Sequence, residues 1–123
     1  MQETPSLQPI QVLIVDDHRV LAELLTSALS MSANVRVVGT VGTAADGVRS
    51  AATLRPDVVI LDYDLPDANG VSVIASIKEV CPTARVLLLT SYTDPIILDE
   101  AINAGCSGFI TKRNGASEIL AAV

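Results

Sequence analysis

The sequence predicts an α/β domain in which a parallel sheet is wound on both faces by helices. Two observations support this prediction: short runs of Val, Ile and Leu alternate five times with segments of helical periodicity, and the run at 58–61 is apolar at every position. A strand of that kind is typical of a parallel sheet that is buried on both faces. Only three residues are aromatic, so aliphatic side chains must build the core. With right-handed crossovers, five such units predict the flavodoxin-like (βα)5 arrangement with strand order 2-1-3-4-5.

The strands are short and regularly spaced. We predict them at 12–15, 35–38, 58–62, 86–89 and 108–111. The second has the weakest alternation of apolar and polar residues, which is typical of an edge strand. The central strand is bounded by Pro56 before it and by Asn69 and Gly70 after it, because these residue types favour turns.

Apolar residues at helical spacing predict the helices between the strands. The expected inward residues of the first helix are Val20, Leu21, Leu24, Leu25, Ala28 and Leu29. For the second helix, which Thr43 can cap and in which Gly47 is a weak point, they are Val48, Ala51, Ala52 and Leu54. For the third, which ends before Pro82, they are Val73, Ile74, Ile77 and Val80.

The fourth helix is predicted to begin at Asp94 and Pro95, a cap followed by a proline in the first turn, and to end near Gly105. Its expected inward residues are Ile97, Leu98, Ala101 and Ile102. A last helix begins near 115–116 with Ile119, Leu120 and Val123 inward, and the chain end cuts it short. We expect residues 1–9 to be a flexible segment and residues 10–123 to form the domain.

Composition excludes several classes of function. The formal charge is −6 and the basic residues are scattered, which argues against direct binding of nucleic acid. No apolar run approaches the length of a membrane span, and no secretion signal is visible, so we expect a cytoplasmic protein without a membrane contact. Cys81 and Cys106 lack metal-type spacing and are expected to be reduced thiols.

Polar residues follow four of the predicted strands, at the points where those strands end. They are Asp16 and Asp17, Asp62, Thr90 and Ser91, and Lys112. Because ligands bind beyond the carboxyl ends of parallel strands, we expect these side chains to share one crevice. Neighbouring carboxylates repel and need a counter-charge, and oxygen ligands with open water positions suit Mg²⁺. Together with a lysine and a hydroxyl, they predict a phosphoryl-transfer site in which Asp62 is the nucleophile that forms an acyl phosphate.

Each of these residues could instead have a purely structural role. Asp16 or Asp17 can cap the helix that starts near His18. Thr90 can be a turn residue, and Lys112 can be a solvated charge. We expect His18 to be solvated on the first helical turn rather than part of the site.

Four segments strongly resemble the receiver domain of two-component response regulators, in the order and spacing of that family. They are 12–17, 58–70, 86–91 and 105–112, and the resemblance covers the chain from about Pro9 onward. It implies that Asp62 is the phosphoacceptor, and that Asp17, Asp62 and the backbone carbonyl of Asp64 hold Mg²⁺, with Asp16 acting mainly through water.

The resemblance also implies roles for three further residues. Thr90 is the switch hydroxyl, Lys112 contacts the phosphoryl group, and Phe109 is the aromatic switch residue. The implied partners are a sensor histidine kinase and a C-terminal helix-turn-helix DNA-binding domain that is absent from this sequence. Separately, Ile96, Ile97 and Leu98 are one apolar residue more than a helix can readily bury, so we expect phosphorylation to promote a homodimer or the release of an attached effector domain. Arg113 stands where many receivers have proline, so a cis peptide is not expected there. The short last helix favours an excised receiver.

Two other functions remain possible from the sequence. The residues from Asp62 to Asp64 resemble the Asp-x-Asp start of haloacid-dehalogenase-type phosphatases, but that family places the motif on its first strand and needs a longer chain with a cap. The chain could also be an interaction module that keeps the fold without being phosphorylated. We expect a regulatory domain that controls transcription and catalyses its own phosphoryl transfer, rather than an enzyme acting on a separate substrate.

Overall fold

The computed structural model describes residues 8–91 and 94–112. Five strands alternate with four helices in this part of the chain. The strands are β1 (Ile10–Val15), β2 (Val35–Val41), β3 (Val58–Asp62), β4 (Arg85–Thr90) and β5 (Gly108–Thr111). The helices are α1 (Arg19–Ser30), α2 (Ala44–Leu54), α3 (Gly70–Val80) and α4 (Pro95–Ala104). Tyr92, Arg113, the predicted last helix and most of the predicted flexible segment lie outside the described residues.

The strands form one parallel sheet in the order β2-β1-β3-β4-β5, which confirms the predicted order. Strand β3 pairs with β1 on one side and with β4 on the other, so the central position expected for it is also confirmed. Strand β2 lies at the edge and shifts register by one residue after Val12 of β1. The edge position predicted for β2 is therefore confirmed.

Two apolar layers cover the two faces of the sheet, and alternate residues of each strand contribute to different layers. One layer joins β1, β3, β4 and β5 to α1 through Val12, Ile14, Leu25, Leu29, Ile60, Leu89 and Ile110. The other joins the opposite faces of these strands to α2, α3 and α4 through Leu13, Val15, Ala51, Leu61, Ile74, Ile77, Leu88 and Ala101. Every residue of β3 is buried, which leaves Asp62 as the carboxylate at the end of an enclosed strand.

The inward face predicted for α1 is partly wrong. Leu25 and Leu29 are buried as expected, but Val20 is 73% exposed and Leu24 is 59% exposed. The smaller Ala22 is buried instead. The helix therefore turns the row through Ala22, Leu25 and Leu29 toward the sheet, and this row is narrower than the apolar stripe of the sequence.

Small residues also decide which face of α2 is buried. The buried residues are Ala44, Gly47 and Ala51, whereas Ala52 and Leu54, predicted to point inward, are exposed. A Cβ atom at Gly47 would lie 2.9 Å from Val15 Cγ1, so Gly47 allows the helix to approach β1. In α4, Ala101 is buried but Ile102 is 56% exposed, which again contradicts the prediction.

The predicted helix ends are confirmed where the structure describes them. The Thr43 hydroxyl accepts a hydrogen bond from the Asp46 N–H, and the Asp94 carboxylate accepts one from the Ile96 N–H. Gly105 ends α4 with φ of 109°, a backbone conformation that glycine adopts without a steric penalty. None of the described helices combines the length and the apolar character that crossing a membrane requires.

Candidate phosphoryl-transfer site

The parallel sheet brings the predicted polar residues to one edge. Asp62 closes β3 and pairs in register with Leu89 of β4, which is followed directly by Thr90. Asp16 follows β1, the other neighbour of β3, and Lys112 follows β5. These positions lie together because the register of a parallel sheet aligns the carboxyl ends of its strands.

The Asp62 carboxylate is fully buried and has different surroundings at its two oxygens. Oδ1 forms an ion pair with Lys112 Nζ at 2.9 Å and accepts a hydrogen bond from the Asp64 N–H at 3.2 Å. Oδ2 has no hydrogen-bond partner among the described residues. Burial raises the pKa of Asp62 above its ordinary value, Lys112 opposes this effect, and the nearby Asp16 carboxyl adds to it.

Asp16 and Asp17, the acid pair that follows β1, differ in burial. The side chain of Asp16 is buried and that of Asp17 is 39% exposed. Asp16 Oδ1 accepts a hydrogen bond from the His18 N–H at 2.9 Å, whereas its Oδ2 lacks a partner among the described residues. His18 is itself the N-cap residue of α1, and its own side chain makes no capping hydrogen bond. The Asp16 carboxylate contacts the start of α1 through the His18 N–H, so the helix-cap interpretation of the acid pair stays a prediction.

The structure adds His18 to the site. Its Nδ1 lies 3.0 Å from Asp16 Oδ1, 3.3 Å from Asp62 Oδ2 and 3.5 Å from Asp17 Oδ1. The hydrogen bond to Asp16 raises the pKa of His18, and the charge of Lys112 opposes this rise. The expectation that His18 is only solvated is wrong, although its side chain is 55% exposed. Its position directly after the acid pair was the signal that the sequence offered.

The donor set fits a hard divalent cation. Donor atoms of Asp16, Asp17, His18 and Asp62 lie within 4.8 Å of one another. Two residues of this group, Asp16 and Asp62, each have one buried oxygen, Oδ2, that lacks a hydrogen bond among the described residues. Buried oxygens of this kind need a partner, and a cation can supply it, because carboxylate oxygens are ligands that Mg²⁺ prefers.

The remaining predicted residues lie on or directly after strands β4 and β5. Thr90 is buried at the end of β4, and its carbonyl oxygen accepts a hydrogen bond from the Lys112 N–H at 3.0 Å. Phe109 is half-buried, pairs in register with Leu88 and packs against the core. Ser91 follows β4 and is exposed.

The loop that follows Asp62 is packed tightly against the start of α3. The Gly70 N–H donates a hydrogen bond to the Tyr63 carbonyl at 2.6 Å, and Asp64 forms an antiparallel bridge with Asn69. A Cβ atom at Gly70 would lie 2.8 Å from the Asp62 carbonyl oxygen. Only a residue without a side chain allows this approach, so Gly70 helps to place the backbone next to the candidate nucleophile.

Comparison with known proteins shows similarity to response regulators. A family model described as the response regulator receiver domain matches residues 12–123. The DNA-binding transcriptional activator DevR/DosR of Mycobacterium tuberculosis is 37% identical over 114 residues, which are 93% of this chain and 52% of that protein. The response regulator protein VraR of Staphylococcus aureus is 33% identical over 114 residues, 93% of this chain and 54% of VraR. The chain thus spans about half the length of these relatives.

Solved structures with the same fold include two receiver domains. The signal receiver domain of the response regulator NarL from Mycobacterium tuberculosis superposes with a TM-score of 0.88 at 33% identity, covering 94% of this chain and 93% of that one. The response regulator domain of CheB from Thermotoga maritima gives a TM-score of 0.80 at 30% identity, covering 89% and 82%. The similarity includes all four segments that carry the predicted motifs.

Proposed function

We propose a mechanism for this chain from one premise: it belongs to the response regulator receiver domain family. In that family phosphorylation of an aspartate is general, and the domain is regulatory rather than an enzyme with a separate substrate. The proposal is that Asp62 accepts a phosphoryl group from a phosphohistidine of a sensor histidine kinase. The observation that carries it is the buried Asp62 carboxylate, which is paired with Lys112 through one oxygen and lacks a hydrogen bond at the other.

The transfer step is a substitution at phosphorus. An oxygen of Asp62 attacks the phosphorus atom, and a P–O bond forms as the P–N bond to the kinase imidazole breaks. The electron pair of that bond goes to the imidazole nitrogen, which takes up a proton from solvent. Asp62 must be ionised to attack, and the positive charge of Lys112 favours the ionised form against the effect of burial.

Residues of this chain would hold Mg²⁺ beside the nucleophile. Asp17, Asp62 and the backbone carbonyl of Asp64 are the proposed ligands, and Asp16 acts mainly through water. When bound, Mg²⁺ supplies positive charge that neutralises the phosphoryl oxygens. The partly exposed Asp17 suits this role because a cation there can keep several of its waters.

Lys112 and Thr90 act on the phosphorylated form. Lys112 Nζ, which is 2.9 Å from Asp62 Oδ1, can donate to a phosphoryl oxygen with a small movement. We assign Thr90 as the hydroxyl that moves toward the phosphoryl group, with Phe109 responding on the neighbouring strand. The same site would later assist attack by water on the acyl phosphate, so that the domain catalyses both gain and loss of the group.

The output proposed for the full-length protein is control of transcription. DevR/DosR, a DNA-binding transcriptional activator, is about twice as long as the matched segment. We propose a C-terminal DNA-binding domain in the full-length protein, a phosphorylation-dependent homodimer and a cytoplasmic location. We further propose residues 10–123 as the receiver and residues 1–9 as a flexible lead-in. The family match gives no support to the phosphatase alternative.

The first testable prediction concerns the acceptor. Incubation with a small phosphodonor and Mg²⁺ should add one phosphoryl group, measured by intact mass, and the group should be labile in base as an acyl phosphate is. Asp62→Asn should abolish the addition because an amide oxygen is a poor nucleophile. Asp64→Asn is the matched control and should be phosphorylated normally, since only the backbone of Asp64 is assigned a role.

Two results would decide against the assignment. Phosphorylation that persists in Asp62→Asn would remove Asp62 as the acceptor. An unmodified wild-type protein would favour the interaction module that keeps the fold without phosphorylation. In the same series, Asp17→Ala should weaken Mg²⁺ binding more than Asp16→Ala, because Asp17 is the proposed direct ligand.

A further inference from the structure

A carboxylate outside the phosphoryl-transfer site connects the acceptor loop, residues 63–69, to the helix α2. Asp67 Oδ1 accepts a hydrogen bond from the Ala44 N–H at 2.7 Å, and Asp67 Oδ2 accepts one from the Ala45 N–H at 3.1 Å. The two partners are 23 and 22 residues away in sequence, so these are tertiary contacts rather than a local turn. They lower the pKa of Asp67, because both N–H groups favour the ionised carboxylate.

The helix α2 has a local cap of its own. Thr43 Oγ1 accepts the Asp46 N–H at 3.1 Å, and together Thr43 and Asp67 satisfy three N–H groups of the first turn. A side chain directly before a helix, such as Thr43, is enough to cap it. Asp67 does something that Thr43 cannot do: it attaches the acceptor loop to α2.

The loop carries the proposed backbone ligand of Mg²⁺. Asp64 donates its N–H to Asp62 Oδ1 and bridges to Asn69, and the Leu65 N–H donates to the Ala68 carbonyl at 3.3 Å. These bonds fix the internal shape of the loop. Asp67 attaches this preformed loop to α2, which itself packs closely on β1 through Gly47.

We infer that Asp67 is a positioning residue for the metal and acceptor site: by anchoring the acceptor loop to α2, it holds the backbone of Asp64 in place relative to Asp62. This inference rests on the proposed function, since Asp64 matters through its carbonyl. Residues that orient metal ligands without contacting the metal commonly change metal affinity when they are replaced. Asp67 is exposed and does not belong to the metal cluster, so its effect must pass through the loop.

The test compares the Mg²⁺ dissociation constants of wild type, Asp67→Ala, Asp67→Asn and Thr43→Ala by calorimetric titration. We expect Asp67→Ala to weaken binding by several-fold, up to about tenfold, as for other residues that support metal ligands. Asp67→Asn should rescue part of this loss because its amide oxygen can still accept one N–H. Thr43→Ala removes a cap from the same helix turn without releasing the loop, so its Mg²⁺ affinity should equal that of wild type even if its Tm falls.

Amide hydrogen exchange of the metal-free proteins gives a second readout. The Asp64 and Leu65 N–H groups should exchange faster in Asp67→Ala and at the wild-type rate in Thr43→Ala. Equal changes in the two variants, or no change in the loop of Asp67→Ala, would overturn the positioning role. Failure of the proposed function would look different: wild type would not bind Mg²⁺, while the exchange comparison would still decide whether Asp67 anchors the loop.

Discussion

At the scale of single residues, the site places three carboxylates around groups that can carry positive charge. Lys112 is fixed on one oxygen of Asp62, and His18 faces the acid pair from the start of α1. Like-charged groups this close favour protonation of one member or a bound cation. In the metal-free protein, protonated His18 can balance part of the charge that Mg²⁺ would balance when bound.

The charge of His18 gives a testable prediction. Because Asp16 raises its pKa above the ordinary 6.5, protonated His18 stabilises the metal-free fold. This stabilisation should be complete below the unfolded-state pKa and should disappear as the pH rises through the higher folded-state pKa. His18 is the only histidine in the sequence, so its ring protons can be followed by NMR during a pH titration without overlap.

Two variants sharpen this measurement. Asp16→Asn removes the main cause of the shift and should return the His18 titration toward 6.5. Asp46→Asn removes a carboxylate that pairs with Arg49 on α2 and should leave the titration unchanged. A His18 pKa at or below 6.5 in wild type, with no response to Asp16→Asn, would contradict the contact between the two side chains.

At the scale of elements, the start of α3 determines how closely the acceptor loop approaches β3. Gly70 is the first residue of α3, where alanine would be favoured by helix propensity alone. A Cβ atom there would lie 2.8 Å from the Asp62 carbonyl oxygen and 2.9 Å from both Leu88 Cδ1 and Tyr63 Cα. Two of these three atoms belong to the backbone, so the helix start or the strand end would have to move.

Gly70→Ala should therefore destabilise the domain by about 1–3 kcal/mol, the usual cost of overpacking. It should also slow phosphorylation, because the displaced atoms include the backbone of Asp62 and Tyr63. Chemical denaturation and the rate of mass increase with a phosphodonor measure the two effects. Gly42→Ala is the matched control near the site: its Cβ would meet nothing closer than 3.6 Å, and it should change neither quantity. Equal behaviour of the two variants would contradict the packing argument.

At the scale of the whole molecule, the proposed phosphorylation of Asp62 would act on the neighbouring strands β4 and β5. The Thr90 carbonyl accepts the Lys112 N–H, and Leu88 pairs in register with Phe109, so the two strands are joined next to the site. The adjacent helix α4 exposes Ile96, and Ile97 and Leu98 are half-buried, so apolar surface is accessible on this helix. A phosphoryl group can shift the conformational equilibrium of this region only by the difference between its interaction free energies with the two conformations.

We expect that difference to be about 1–3 kcal/mol, the usual range of coupling between sites. A phosphoryl mimic should then shift backbone NMR signals from Thr90 to Phe109, in addition to those of the site, and should promote self-association measured by sedimentation. Thr90→Ala should bind the mimic but lose the distant shifts. If wild-type shifts remain confined to Asp16, Asp17, Asp62 and Lys112, Phe109 is a fixed core residue and the switch hypothesis fails.

Local patterns along the chain were enough to predict the order of elements, the sheet topology and the residues at the strand ends. Apolar periodicity and turn residues are local properties, and a parallel sheet then aligns the strand ends whatever the details of packing. For this reason, the sequence was enough to predict that Asp62 and Lys112 lie close together. The caps at Thr43 and Asp94 were equally predictable, because each contact spans only a few residues.

Packing of the helices on the sheet set which helix faces are buried and which contacts join distant segments. Hydrophobic periodicity could not reveal that Ala22 and Gly47 pack inward while Val20, Leu24 and Ile102 are exposed, because steric fit against the sheet selects small residues. The attachment of Asp67 to α2 and the approach of His18 to the acid pair likewise depend on side-chain directions. Those directions are set only once the helices have packed on the sheet.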